Sequence, residues 1–484
     1  MTDEFIPWLT AQVNKLNGLL WNEVLIILLI GTGLFFTLYT GFVQIRMFAP
    51  SVREMLGGRH AEKGAQSITP FQAFVTGLAS RVGMGNVVGV SIAITSARNP
   101  ELGLTGAGAV FWMWITALVG MSSAFAESSL AQLFKVRDAE TGRFRGGPAY
   151  YISQGLKQKW MAVLFSLSLI ATFGFVFNAL QANVIADAAQ LAWGIDKPMM
   201  GGLLVLATAP IIFGGIKRVA QIASGLVPFM AALWLLIALY VIITNIGEVP
   251  RVFELIVSEA LDFRSVGSGF LGGLISIAMM NGVKRGLYSN EAGMGSAPNA
   301  AAAADTKHPA SQGLIQMLGV FVDTLIICSC SAFIILLADN LDPALKGAQI
   351  TQAALQQQIG SIAPHLLAVL LFLFAFTTII GNYAYAESNV QFMRNNPSVV
   401  LIFRLLVLGM VFFGAAQELG LVLDLADLSM GIMALINLIA ILWLSPYVKL
   451  LLTDYRNQLK RGKTPEFKIA EHPGLNRKIK SDIW

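Results

Sequence analysis

Two apolar stretches of this chain, near residues 68–96 and 269–305, are each long enough to cross a lipid bilayer, and each is interrupted by the same tripeptide, Gly83-Met84-Gly85 and Gly293-Met294-Gly295. Glycine reaches backbone conformations that other residues resist. Inside hydrocarbon an unwound helix is tolerated only where its freed N–H and C=O groups meet protein, water or an ion. Paired interruptions in corresponding places of two chain halves therefore point to a ligand site built from discontinuous helices.

The bulk of the chain agrees with membrane burial. Hydrophobic residues make up 55% of it and charged residues only 13%, against roughly 25% charged in soluble domains, and the mean hydropathy is +0.66. A bilayer core about 30 Å thick needs about 20 helical residues per crossing. Eleven segments qualify, near 19–45, 68–96, 106–134, 160–193, 198–215, 219–244, 269–305, 310–338, 365–393, 398–417 and 421–452. The run from Leu25 to Leu38 has no basic segment before it and exceeds the core of a signal peptide, so it reads as a retained first span.

Basic residues fix the expected orientation. With the N-terminus outside, 24 Lys and Arg fall in inside segments and six outside, while Arg81, Lys284 and Arg285 lie within spans, accounting for all 33. This asymmetry favours N-out, C-in, which needs an odd number of spans. The net charge of +5 thus reflects topology and anionic lipid rather than nucleic-acid binding. Cys328 and Cys330 point to opposite sides of a helix, so they read as core thiols rather than a disulfide, and no Cys or His spacing suggests a metal centre.

If the first span is an addition, spans two to six and seven to eleven form two sets of five, each opening with its broken helix. Five is odd, so the second set crosses in the opposite sense, as in an inverted repeat that holds substrate and ion near the midplane. The expected fold is therefore an all-α polytopic membrane protein of 11 transmembrane helices with a five-plus-five inverted repeat. Its divisions are an N-terminal segment over 1–64, a first repeat over 65–245, an interfacial helix and second repeat over 246–455, and a basic cytoplasmic tail over 456–484. Pro250–Leu261 and Ile350–Ile359 read as short interfacial helices.

The run TGAGAVFWMWITALVG, Thr105 to Gly120, combines small residues for close helix packing with an aromatic cluster. As a pattern it resembles the signature of the alanine or glycine:cation symporter family, as do FRGGPAYYISQGL (Phe144 to Leu156) and GLYSNEAGMGSAPNAAAAA (Gly286 to Ala304), with span order matching over about 440 residues. Thr105 stands where that family usually has another glycine. The resemblance implies a fold similar to the bacterial leucine transporter, with Val82 to Asn86 as the unwound part of the first core helix. It also implies a sodium site formed by the carbonyls of Ala79 and Val82 and the hydroxyls of Thr377 and Thr378. Taken by themselves, both threonines could instead bond back to carbonyls of their own helix.

Helix N-termini at the breaks present free N–H groups suited to a carboxylate. The expected substrate contacts are Gly83, Gly85, Asn86 and Gln181 on the first half and Ser289, Asn290 and Gly293 on the second. Asn86 serves equally as a helix cap, Asn290 as an interhelical bond and Gln181, with Asn183, as packing glue. Charges inside spans are costly and functional by default. Arg81 reads as a gate or structural pair with an acid such as Glu291, or alternatively as a substrate contact. Asp187, Asp323 and Glu127 read as hydrogen-bonded structural acids or proton relays. Lys284 and Arg285 read as solvated rim charges.

Paired broken helices, an ion site and the absence of a P-loop lead to a secondary symporter in a bacterial inner membrane, importing a small neutral amino acid such as alanine or glycine with sodium. No cofactor, ATP or nucleic-acid partner is expected, and no nucleophile and base pattern suggests an enzyme. The alternatives are a proton-coupled permease of the same fold and, behind it, an ion channel, which would need a filter sequence that does not stand out.

Overall fold

The computed structural model describes residues 2–58, 67–138, 141–262, 275–342, 344–345, 347–417, 420–476, 479 and 483–484. The limit set between 64 and 65, and the first residues of the segment near 269–305, lie outside them. A helix occupies each of the eleven expected segments: α1 (Thr10–Tyr39), α2 and α3 (Pro70–Arg81 and Gly85–Ala97), α4 (Gly108–Leu133), α5 (Lys159–Trp193), α6 (Lys197–Ile212), α7 (Gly215–Thr244), α9 and α10 (Ile277–Asn290 and Pro298–Ala302), α11 (Pro309–Leu336), α13 (Ala363–Met393), α14 (Pro397–Ala416) and α15 (Gly420–Trp443). Among the described residues eight are long and apolar enough to cross a membrane, or nine if α2 and α3, bent by 51°, count as one span.

Between them, α8 (Val249–Ala260) and α12 (Ala348–Ile359) stand where short interfacial helices are expected. The last expected segment, 421–452, is in fact two helices. Its apolar part stops at Trp443, and Pro446, which fits only a first turn, opens α16 (Ser445–Lys460). A two-stranded hairpin, β1 (Val136–Arg137) with β2 (Phe144–Arg145), follows α4.

The broken helices have strong local signals. Thr69 and Gln72 form a reciprocal capping box at the start of α2, with both bonds 3.0 Å and Pro70 in the first turn. Helix α2 then ends at Val82, whose ψ of 84° leaves the helical region. Ser276 caps α9, which ends at Glu291 in the left-handed conformation, and Pro298 opens α10. At one end of the molecule the two interruptions are joined: Ile68, before α2, forms a parallel bridge with Ala304, after α10, and Asp305 N donates to Ile68 O at 3.0 Å. Helix α4 packs against both α9 and α11, and α13 packs against α2, α5 and α7. The breaks thus lie between α4, α11 and α13.

Candidate functional site

The first break turns its carbonyls toward α13. The Thr378 hydroxyl stands 2.9 Å from Ala79 O, 3.4 Å from Val82 O and 3.0 Å from Phe374 O. Thr377 also bonds back to Phe374 O, at 2.9 Å, and lies beside the Met230 sulfur. Both threonines therefore bond to their own helix, and Thr378 in addition reaches across to the break. Three carbonyls and a hydroxyl converge in a fully buried spot, a hard-oxygen set without formal charge. Gly83 permits the approach, because a Cβ there would sit 2.3 Å from Thr378 Oγ1.

The rest of the first break is held by side chains. Gly83 N donates to Asn86 Oδ1 at 3.0 Å and Met84 N to Gln181 Oε1 at 3.0 Å. The Asn86 amide donates to Asp323 Oδ1 at 2.7 Å, and Ser289 Oγ donates to Asp323 Oδ2 at 2.7 Å, so Asp323 of α11 bridges the two broken helices. Cys328 closes the group, its sulfur 3.1 Å from Ser289 Oγ. Gly85 lies against the ring of Tyr288, which a Cβ would meet at 2.9 Å.

The second break is held differently. Gly293 N and Gly295 N donate to the two oxygens of Glu127 at 3.2 and 3.1 Å, and Asn437 donates to Glu127 at 2.8 Å and to Gly293 O at 2.9 Å. Tyr151 in turn donates to Asn437. The free N–H groups that suit a carboxylate ligand are thus already on a carboxylate of the protein, and Gly293 is not brought to the gap between the breaks. Of the expected contacts, Gly83, Gly85, Asn86, Gln181 and Ser289 are brought together there. Asn290 takes Ala292 N on its oxygen at 3.0 Å and leaves its Nδ2 without a partner. Asn183 stands apart, bonded to Gly414 O and Gln417 O of the α14 end, as packing glue.

Arg81 and Glu291 do not form the expected ion pair. Glu291, in a left-handed turn at φ 57°, directs its oxygens onto Ser80 (2.7 Å) and Ser296 (2.6 Å). Arg81, 2% exposed, instead crosses to α11, where Nη1 donates to Gln316 O at 3.3 Å and Gly319 leaves room for it. Its Nε and Nη2 have no partner. Buried Asn382 Nδ2 also has no partner among the described residues. Several buried polar groups around one gap without partners suit a polar ligand.

Two other sequence expectations change. Lys284 and Arg285 are not solvated rim charges: both pair with buried Asp427 of α15, at 3.1 and 2.6 Å, and the Trp21 ring of α1 lies over the Lys284 ammonium. Asp187 is a partly exposed acid paired with Lys197 at 2.6 Å. Sequence reasoning missed Phe374 O, Ser80, Asn437 and Asn382. A main-chain ligand has no side-chain signature, although Phe374 is four residues before Thr378, where a helical hydroxyl bonds back.

The family described as the sodium:alanine symporter family matches residues 6–469. The chain is 48% identical over 474 residues to the amino-acid carrier protein AlsT of Bacillus subtilis, covering 98% of this chain and 97% of the relative. It is 46% identical to the probable sodium/glutamine symporter GlnT of the same organism, covering 95% and 94%. It is 37% identical to the sodium/alanine symporter AgcS of Methanococcus maripaludis, covering 90% and 95%. With a match spanning nearly its whole length, the chain belongs to the sodium:alanine symporter family, whose members are sodium-coupled membrane transporters and not enzymes.

Proposed function

We propose that the protein imports a small neutral amino acid, alanine or glycine, together with sodium by alternating access across a bacterial inner membrane. In this reading the chain makes eleven crossings, N-terminus outside and C-terminus inside, with a five-plus-five inverted repeat behind one added helix. The observation that carries it is the convergence of Ala79 O, Val82 O and Phe374 O on the Thr378 hydroxyl at 2.9 to 3.4 Å across the first break. Sodium binds there, with Thr377 beside it. The amino acid binds between Gly83, Gly85, Asn86 and Gln181 on one side and Ser289 and Asn290 on the other. Gly293 acts at one remove, through the fixed shape of its turn. The crowding of Gly85 against Tyr288 supports a small side chain. Arg81 and Glu291 serve as a gate in a conformation other than this one.

The alanine named for one relative supports this substrate, and the glutamine named for another makes glutamine the competitor to test. The decisive experiment is uptake by purified protein in liposomes under an imposed sodium gradient, with unlabelled amino acids as competitors. Accumulation of alanine or glycine that collapses with the gradient is expected. No accumulation of any small neutral amino acid would refute the reading.

Proton coupling is the second reading. Asp323 and Glu291 are buried with hydroxyl and amide partners and, among the described residues, no ion pair, and a carboxylate so placed in a membrane is a proton-carrier candidate. Uptake measured with and without sodium at a fixed proton gradient separates the two.

A further inference from the structure

A polar cleft of about 340 Å³ opens between the β1–β2 hairpin, the Phe213–Ile216 turn and helices α10, α13 and α14. Its deep end is Asn299, whose amide donates to Gly295 O and Ser296 O at 3.2 and 2.7 Å and whose oxygen accepts from Asn389 at 3.0 Å. Through Asn299 the wall of the cleft is bonded to the C-terminal edge of the second break.

Its charges are unevenly satisfied. Arg145 pairs with Asp138 at 2.8 Å. Arg404 pairs with Glu387 Oε1 at 2.7 Å and donates to the Tyr383 hydroxyl at 2.8 Å. Arg143 also lines the cleft, yet it has no ion pair among the described residues, and its Nε is buried without any partner. Across from it stands the second oxygen of Glu387. Both face Gly215, where a Cβ would lie 3.7 Å from Glu387 Oε2 and 3.8 Å from Arg143 Nη1. Gly215 has φ of 65° and so keeps this spot clear of a side chain for a backbone reason as well.

A buried guanidinium N–H without a partner is costly, and a planar fork is matched best by a carboxylate. A guanidinium with one buried N–H unpartnered, across a small open space from a carboxylate oxygen, is complementary to a zwitterion. We propose that this cleft is a release subsite, which holds the transported amino acid after it leaves the breaks, with Arg143 on its α-carboxylate and Glu387 Oε2 on its ammonium group. The assignment rests on the proposed amino-acid transport and on the hairpin facing the cytoplasm.

The test compares the two membrane faces. Alanine entry is measured in right-side-out vesicles at varied external alanine, and alanine exchange in the same vesicles at varied internal alanine. Arg143→Gln is expected to raise the internal half-saturation concentration about tenfold or more, the effect of one lost charge-assisted hydrogen bond, while the external value stays within about twofold. Arg143→Lys, which keeps the charge, should recover most of the loss and reports on the site even if the glutamine variant folds poorly. Equal shifts on both faces, or no shift on either, would overturn the subsite. Absence of sodium-driven alanine or glycine entry in the wild-type vesicles would instead refute the transport reading itself.

Discussion

The two Gly-Met-Gly breaks share a sequence and little else. In the first, neither glycine has a positive φ, and what Gly83 supplies is proximity: no side chain fits between its Cα and the Thr378 hydroxyl. In the second, Gly293 and Gly295 have φ of 85° and 83°, so glycine is needed for the backbone turn itself. The first break leaves its carbonyls facing the Thr378 hydroxyl, where the proposed sodium would sit. The second is stapled by Glu127 and Asn437. One interruption is built to exchange partners and the other to keep them.

The sharpest way to break this comparison is to remove the staple. Glu127→Leu leaves the Gly293 and Gly295 N–H groups without an acceptor, at about 1–3 kcal/mol for each buried group, and takes from the Asn437 amide one of its two acceptors. The variant is expected to lose most of its thermal stability in detergent, with Glu127→Gln intermediate. A melting temperature unchanged in Glu127→Leu would show that the second break is held by something else.

Alanine at each glycine separates the two roles. Gly295→Ala puts a Cβ into a left-handed turn, at about 1–2 kcal/mol, and within 2.8 Å of Asn437 and Pro148, so its melting temperature should fall. Gly83→Ala should lower the melting temperature less than Gly295→Ala, since it needs no left-handed backbone, but lose sodium-driven uptake, since its Cβ would displace the Thr378 hydroxyl. If both variants lose stability alike, the breaks do not differ as described.

Within the first break the threonines are unequal. Thr378→Val is expected to raise the sodium concentration for half-maximal uptake about tenfold, the loss of one ligand to a charged group. Thr377→Val should do less, because its hydroxyl meets only Phe374 O and a sulfur. Sodium-driven uptake unaffected by removing both hydroxyls would dismiss the ion site.

The smallest effect concerns Arg81, which borders the first break without an ion pair. If it acts as a gate, Arg81→Ala changes maximal uptake rate by a few-fold and leaves the pattern of competing amino acids as it was. A changed competition pattern would move Arg81 into the substrate contacts.

Much of the fold is written locally in the chain. Apolar length marked stretches that are helical among the described residues, and Pro446 escaped notice as the divider of the last one. At the site, residues on or next to a break were legible, because glycine pairs flanked by Asn and Ser have few other uses inside a membrane. What could not be read was pairing at a distance. Nothing in the spacing of Glu127 and Gly293, or of Asn437 and Glu127, tells that they meet, since each partner lies on a helix placed by packing. The same holds for Asp427 of α15, whose pairing with Lys284 and Arg285 of α9 has no mark in their spacing.

The bridge between Ile68 and Ala304 gives the two breaks a common mechanical fate. Helix α2 starts two residues after one side of the bridge, and α10 ends two residues before the other. Gln132 and Lys135 also hold Ala304 O, each at 3.0 Å. The half-helices below the breaks are therefore coupled like two oars on one shaft. If sodium and substrate sit at the breaks as proposed, displacing α2 when sodium leaves would drag α10 with it, so that emptying the ion site and opening the amino acid's way out become one stroke.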